Sequence, residues 1–245
     1  MKKAVLILGA GSEIARAAAA AWARRGYAIF LAGRDVEDLA RSAADLRVRY
    51  GVTTDHAVFD AQAEDSGRII TDAVQKIGAL SGVLIAFGDN GDQRRAETDD
   101  AEALRIMDVN FVRAALMAAA AARYFQPLKT GFIVGISSVA GDRGRQSNYV
   151  YGASKGGLSL FLQGLRNRLA REGVHVMTVK PGFVDTAMTF GKPRLFAVAA
   201  PAAVGEAIVK AAERRRDVVY VPGFWRSIMT VIGFIPERVF KKLSL

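Results

Sequence analysis

At 245 residues, 51% of them hydrophobic and with no low-complexity tail, the chain has the size and apolar content of a single domain with a large core. It contains no cysteine, which excludes disulfides, thiolate chemistry and cysteine-based zinc sites and fits a reducing compartment. Its 34 lysines and arginines against 24 acidic residues leave a net charge of +10, which attracts anions such as nucleotide phosphates or an acidic membrane, or serves solubility alone. No zinc-finger spacing or RNA-binding aromatic motif points to nucleic acid. No uncharged apolar run reaches the length of about 20 residues that a spanning helix needs. The apolar run after Lys2 and Lys3 is short for a secretory signal and lacks a small-residue cleavage site, so a first strand is the better reading.

Taken in order, residues 3–8 form that strand, and Gly9-Ala10-Gly11-Ser12-Glu13-Ile14-Ala15 opens an Ala-rich helix running to about Arg25. Strand, glycine-rich turn and helix make a phosphate cradle: glycines let the backbone approach, and the helix N-terminus favours anions. Residues 27–32 are a second buried strand ending in Gly33-Arg34-Asp35, and 36–50 show helical spacing. An acid at this strand end binds the ribose hydroxyls of NAD, whereas an arginine accommodates the 2′-phosphate of NADP. Gly33 stands in the place of the acid and Arg34 follows, so NADPH is favoured over NADH. The alternative makes Arg34 a helix-flanking charge and Asp35 an N-cap.

Residues 53–59 read as a third strand ending in Asp60-Ala61, 64–78 as a helix and 83–87 as a fourth strand ending at Gly88. Residues 88–100 are a polar loop without periodicity, 101–112 a helix carrying Asn110, and 114–125 a strongly Ala-rich helix. The apolar run 131–136 is a buried strand that ends in Ser137-Ser138. Behind it, Tyr151 and Lys155 stand four apart, so on a helix both side chains share a face. A phenol has a pKa of roughly 10. A nearby ammonium is expected to pull that value down and make the pair a general acid or base. Residues 174–179 are another strand, leading into Pro181-Gly182-Phe183-Val184-Asp185-Thr186. A mobile cover over the substrate is expected at 188–199, a helix at 202–214 and a last strand at 218–221. His56 and His175 have no partners at metal spacing, so both read as structural or surface residues and no metal is expected.

Residues 224–245 mix large apolar groups with Arg226, Arg238, Lys241 and Lys242. Such a tail can lie in a membrane interface, fold back as a lid, or pack on a partner subunit. It is set apart from residues 1–223, which form one doubly wound α/β unit.

Over nearly its whole length the chain resembles the short-chain dehydrogenase/reductase family, whose Asn-Ser-Tyr-Lys set matches Asn110, Ser138, Tyr151 and Lys155. The resemblance implies a single Rossmann domain, with a mostly parallel seven-stranded sheet and helices on both faces. It implies a nicotinamide-dependent oxidoreductase, and with NADPH a ketoreductase. Ser138 and Tyr151 would bind the substrate carbonyl, Lys155 would lower the Tyr151 pKa and bind the nicotinamide ribose, and Asn110 would hold a water for the proton relay. The cofactor would rest on Gly9, Gly11, Ser12, Glu13 and Ile14, with Arg34, Asp60, Ala61 and Gly88 along the adenine and ribose. Pro181, Val184 and Thr186 would meet the nicotinamide. In the family's Gly-x-x-x-Gly-x-Gly pattern Gly9 matches the first glycine, while Glu13 and Ala15 occupy the other two. The Glu13 carboxylate is expected to point away from the ligand.

The string Gly9-x-x-Ser12-Glu13-Ile14, the Ile85-Ala86-Phe87-Gly88 segment and the basic apolar tail are similar to one subgroup, the decaprenylphosphoryl-2-keto-ribose reductases. That likeness implies a keto-sugar on a polyprenyl phosphate as substrate, cell envelope biosynthesis, and a cytoplasmic protein peripheral at the inner membrane face. The family resemblance also implies a homodimer or homotetramer built through the Ala-rich helix and the Tyr151 helix. The alternatives are a soluble NADPH ketoreductase for a small ketone or acyl substrate, and a non-catalytic nucleotide-binding scaffold.

Overall fold

The computed structural model describes residues 3–63, 66–191 and 196–243. Its strands are β1 (Ala4–Leu8), β2 (Ala28–Gly33), β3 (Thr54–Val58), β4 (Gly82–Ile85), β5 (Phe132–Ile136), β6 (His175–Pro181) and β7 (Val218–Val221). Its helices are α1 (Glu13–Ala23), α2 (Val36–Tyr50), α3 (Ser66–Ile77), α4 (Gln93–Ala96), α5 (Asp100–Met107), α6 (Ala114–Phe125), α7 (Tyr149–Leu169), α8 (Pro201–Glu213), α9 (Trp225–Phe234) and α10 (Glu237–Phe240). Continuous apolar runs become strands here because both faces of the sheet are covered. Every residue of β1 and β2 is buried. Along β1 the side chains alternate between two cores. Val5 and Ile7 join Trp22 of α1, Leu39 of α2 and Ile208 of α8. Ala4, Leu6 and Leu8 join Ile69 of α3, Ala118 and Phe125 of α6 and Leu162 of α7.

The sheet has seven strands in the order β3-β2-β1-β4-β5-β6-β7, and all neighbouring pairs are parallel. This is the expected doubly wound α/β fold. The strand order reverses at β1 and β4, and ligands of such sheets bind in the crevice outside the strand carboxyl ends at that point.

One close contact positions α7. The turn Val139–Gly141 follows β5, and a side chain on Gly141 would lie 2.6 Å from the Gly156 nitrogen. A side chain on Gly152 would lie 2.8 Å from the Ala140 carbonyl oxygen. Only bare backbone lets the helix approach the turn this closely.

Several boundaries differ from the sequence expectation. The helix expected at 101–112 is α5 followed by a π-helical turn, Asp108–Arg113, that carries Asn110. The loop 88–100 contains α4, started by Asp92, whose carboxylate accepts from the Arg94 and Arg95 nitrogens. The helix expected at 64–78 is α3; residues 64 and 65 lie outside the described residues. So do 192–195 of the expected cover and 244–245 of the tail.

The rest of the tail folds back on the body. Trp225 and Met229 are buried against Val139, beside Phe183 and Tyr220. Arg143 secures the end of α9: its Nη1 donates to the carbonyls of Ile232 at 2.6 Å, Gly233 at 3.1 Å and Ile235 at 2.7 Å. These are carbonyls that a helix end leaves without intrahelical partners. The same guanidinium stacks 3.8 Å from the Phe240 ring centre.

The glycine contact predicts opposite outcomes for two substitutions on one helix. Gly156→Ala must push α7 off the turn, because its new side chain would meet the Gly141 carbonyl oxygen at 2.9 Å. Such overpacking costs about 1–3 kcal/mol. Gly164→Ala has nothing within 4 Å of its new side chain and is expected to gain up to about 1 kcal/mol in helix propensity. Urea denaturation of the two variants checks the sign of each.

Candidate active site

The strand, turn and helix segments just described bring Ser138, Tyr151 and Lys155 into one cleft at the carboxyl ends of the central strands. Ser138 lies two residues past β5, and its Oγ accepts a hydrogen bond from the Ala140 nitrogen at 3.1 Å, starting the turn Val139–Gly141. The Lys155 Nζ donates to the Ile136 carbonyl at 3.1 Å and lies 5.8 Å from the Tyr151 ring centre. Ser137, which sequence reading passed over in favour of its neighbour, is the fastener. Its buried Oγ donates to the Lys155 carbonyl at 2.9 Å and lies 2.7 Å from the Ser159 Oγ. The signal for it was the Ser-Ser doublet itself: one hydroxyl faces the cleft, the other ties α7 to β5.

Asn110 is fully buried and sits behind this group. Its Nδ2 donates to the carbonyls of Asp89 at 2.6 Å and Ile106 at 2.9 Å, and its Oδ1 accepts from the Asp89 nitrogen at 3.1 Å. Both amide protons are thus committed, and one lone pair of Oδ1 remains for a water. A side chain on Gly88 would lie 2.7 Å from Asn110 Oδ1 and 3.1 Å from Lys155 Nζ, so Gly88 is the point where the two groups converge.

The electrostatics correct one expectation. Burial pushes the Tyr151 phenol up to about 12, with the Ser138 hydroxyl drawing it partly back and the Asp89 charge adding to the rise. Burial likewise holds Lys155 down, to about 8. Desolvation disfavours the charged form of both groups. At both groups burial is the leading cause, and the lowering of the Tyr151 phenol expected from Lys155 is not seen in this structure. Beside them, burial works to raise the Asp89 carboxyl, but the Gly91 nitrogen and Arg105 together hold it below the usual carboxylate range. Arg105 bridges Asp89 and Glu102, with Nη2 at 2.8 Å from Glu102 Oε1. Sequence reading missed this bridge, because residues 89 and 105 carry no periodic relation.

At the other end of the cleft, Gly9 adopts φ 79°, and a side chain there would strike the Phe87 nitrogen at 2.5 Å. The Gly9 and Ala10 nitrogens both donate to the Ala32 carbonyl, at 2.9 and 3.0 Å, which pins the turn to the end of β2. The position of a side chain on Gly11 is open, with nothing within 4 Å. Ser12 caps α1, accepting from the Ala15 nitrogen at 3.2 Å. Ser12, Glu13 and Ile14 all line the cleft, as do Gly88, Pro181, Val184 and Thr186. Gly9, Gly11, Arg34, Asp60, Ala61 and Asn110 do not. Arg34 is exposed just past β2, and a side chain on Gly33, the last residue of that strand, would lie 3.7 Å from the Ala10 nitrogen. Asp35 caps α2, accepting from the Asp38 nitrogen at 3.0 Å. Asp60 accepts from the Gln62 nitrogen at 2.9 Å and so stabilises the turn after β3.

Glu13 lines the cleft. Its Oε1 accepts from the Ala187 nitrogen at 3.1 Å and ties the start of α1 to the loop after β6. Within that loop the Val184 carbonyl accepts from the Thr186 hydroxyl at 3.4 Å and from Thr189, and the Thr186 nitrogen donates to Thr189 Oγ1 at 3.1 Å. Met188 and Thr189 complete the lining. Ala199 is held to the body, its nitrogen donating to the Phe183 carbonyl at 2.9 Å. An open glycine turn, a helix N-terminus and a cleft continuing to Tyr151 and Lys155 are a donor set that fits a nicotinamide dinucleotide. Among the described residues no group of three or more His, Asp or Glu side chains is arranged to hold a metal ion.

The profile of the family described as short chain dehydrogenase matches residues 3–193. An uncharacterised oxidoreductase of Mycobacterium tuberculosis is 33% identical over 234 residues, covering 95% of this chain and 92% of the relative. Human 3-oxoacyl-(acyl-carrier-protein) reductase is 31% identical over 192 residues, covering 77% of this chain and 78% of the relative. A solved short-chain dehydrogenase from Sphingobium yanoikuyae, in complex with NADPH, superposes with a TM-score of 0.82 at 25% identity, covering 96% of this chain and 97% of its own. The matched profile spans β1 to the loop after β6 and takes in every element that lines the cleft, so the chain belongs to the short-chain dehydrogenase family of oxidoreductases.

Proposed function

We propose that the protein reduces a ketone to a secondary alcohol with NADPH. The observation that carries this is the meeting of Tyr151, Ser138 and Lys155 in one cleft that continues to the N-terminus of α1. Bound NADPH would supply the hydride. Tyr151 Oη holds the proton at neutral pH and gives it to the carbonyl oxygen as negative charge develops there. The Ser138 hydroxyl donates to the same oxygen and orients it. Lys155, anchored on the Ile136 carbonyl, places its positive charge beside that oxygen and the cofactor ribose. The free lone pair of Asn110 Oδ1 receives a water that restores the proton. Arg34 favours the 2′-phosphate of NADPH, since Asp35 is already used as a helix cap. The human reductase and the NADPH complex among the similar proteins support the same direction and cofactor.

For the substrate, the proposed class is a keto-sugar on a polyprenyl phosphate, of the 2-keto-ribose type. Support comes from the apolar rim beside the cleft, where Phe190 is 87% and Phe196 54% exposed with Met188 next to them. The tail is proposed to make peripheral contact with a membrane, and exposed Leu104, Leu116 and Leu160 on α5, α6 and α7 support a homodimer or homotetramer. The similarity to the human acyl-carrier-protein reductase favours the second reading, a soluble reductase for a small ketone or acyl substrate. NADPH oxidation on a polyprenyl-phosphate 2-keto-pentose, beside a panel of small ketones, decides between them. Turnover on the lipid supports the first reading; turnover on small ketones alone supports the second.

Tyr151→Phe is expected to keep NADPH binding and lose about 10²–10⁴-fold in turnover. Unchanged turnover sinks the assignment. The pH dependence follows from the two shifts. Lys155 is held down to about 8, so its positive charge is present below pH 8 and lost above it, while Tyr151, up at about 12, keeps its proton throughout. The kcat/KM for reduction is therefore expected to be level from pH 6 to 7 and to fall through an apparent pKa near Lys155's value of about 8. A level profile to pH 10 shows that the Lys155 charge is not needed. Arg34→Asp is expected to lower the preference for NADPH over NADH by at least about tenfold, the loss of one charge-assisted phosphate contact; steady-state kinetics with both nucleotides measure it.

A further inference from the structure

A cluster of arginines lies away from the cleft, at the free edge of the sheet. Beyond β7 there is a groove of about 900 Å³ lined by Arg214, Arg215, Arg216 and Arg226, with Val218, Tyr220 and Thr230. β7 is the last strand of the sheet, so the groove runs between the end of α8, an unpaired strand edge and α9. Lys210 lines its continuation along α8. All four arginines are exposed, and among the described residues none of them forms an ion pair.

The groove's other polar groups are already committed. The Tyr220 hydroxyl donates to Asp142 at 2.8 Å, and the Thr230 hydroxyl to the Arg226 carbonyl at 2.8 Å. The single carboxylate, Asp217, is 3.7 Å from both Arg166 Nε and His175 Nε2. Arg215 donates to the Gly173 carbonyl at 3.1 Å and holds φ 51°, a conformation glycine would take without strain. Four guanidiniums crowded around one hollow repel one another unless an anion lies between them, and guanidinium geometry matches phosphate oxygens in pairs.

The wall of the groove says which anion. Arg226 and Thr230 are one turn apart on α9, and the same exposed side of the helix continues into Val231, 66% exposed, and Phe234, 82% exposed. Phe224, half exposed, makes a tilted ring contact with Trp225, which in turn meets Phe196. Cations beside large unpartnered apolar groups on a short helix suit a bilayer interface: the cations meet phosphates and the apolar groups enter the acyl boundary. Nucleic acid or an acidic protein would meet the cations and leave Val231 and Phe234 in water.

We propose that the groove of Arg214, Arg215, Arg216 and Arg226 binds the phosphate headgroups of an anionic membrane, with Val231 and Phe234 of α9 inserted beside them. The proposal rests on the peripheral-membrane reading of the tail and names the surface that reads the lipid charge.

The test is co-sedimentation of the full chain with phosphatidylcholine vesicles and with vesicles containing phosphatidylglycerol. Retention is expected on the anionic vesicles and not on the neutral ones, declining as salt rises. The triple variant Arg214→Gln, Arg216→Gln, Arg226→Gln is expected to bind about a hundredfold more weakly, from the loss of three interfacial cations. The triple variant Arg41→Gln, Arg49→Gln, Arg68→Gln removes the same net charge from exposed positions elsewhere and is expected to bind like the parent. Phe234→Ser is expected to weaken binding while leaving the salt dependence intact. Unaltered thermal midpoints and unaltered turnover on a water-soluble ketone show that each variant is folded. If both triple variants lose binding equally, only overall charge matters and the groove is not a site. If the parent binds neutral vesicles as well, the tail reads apolar surface alone and the groove proposal fails while the tail reading stands. No retention on any vesicle, or a shift of duplex DNA without vesicle binding, overturns both.

Discussion

The approach of helix α7 to the turn after β5 is the constraint from which the site follows. Ser138 belongs to the turn, Tyr151 and Lys155 to the helix, and nothing in a strand or a helix alone sets their separation. Backbone meets backbone at Gly141 and Gly156 and again at Ala140 and Gly152. The Ser137 hydroxyl then locks the Lys155 carbonyl in place. Side chains are flexible, whereas backbone contacts of this kind are not, so the geometry of the acid, the hydroxyl and the ammonium is held without using any of those groups.

That same closeness dries the site, and the drying decides its electrostatics. A phenol and an ammonium placed side by side in water would help each other to ionise. Here the loss of hydration dominates both, and the phenol moves up while the ammonium moves down. Around this dry centre the chain arranges charges in closed groups, such as Arg105 between Asp89 and Glu102 and Lys180 beside Asp142. The arginines beyond β7 stand out because they are not closed in this way.

Much of this was legible in the sequence. The apolar runs and glycine-rich turns located all seven strands within one or two residues, and the inner strands such as β1 and β2, buried on both faces, leave a continuous apolar trace. The spacing of Tyr151 and Lys155 and the position of Ser138 placed three site residues in one cleft. What was not legible depends on distance in space. Glu13 stands in sequence where a glycine would open the turn, and only the fold shows its carboxylate reaching the Ala187 nitrogen. The tail carried no sign of Arg143, which lies far from it in the chain yet holds its end. Burial likewise cannot be read from a four-residue spacing, which is why the direction of the Tyr151 shift came out reversed.

The π-helical turn at Asp108–Arg113 has a consequence for the phase of the long helical segment around it. Glu102, Ile106, Asn110, Ala114 and Ala118 are all buried, and they recur every four residues. In an unbroken α-helix, residues four apart rotate by about 40° at each step, so this row would wind away from the core within a few turns. The wider turn takes up part of that rotation and keeps Asn110 in line with Ile106 before it and Ala114 after it. It also brings the Asn110 amide within 2.9 Å of the Ile106 carbonyl. The segment thus behaves as a vernier: one irregular turn sets the angular position of a single amide while the apolar faces on either side stay aligned with the core.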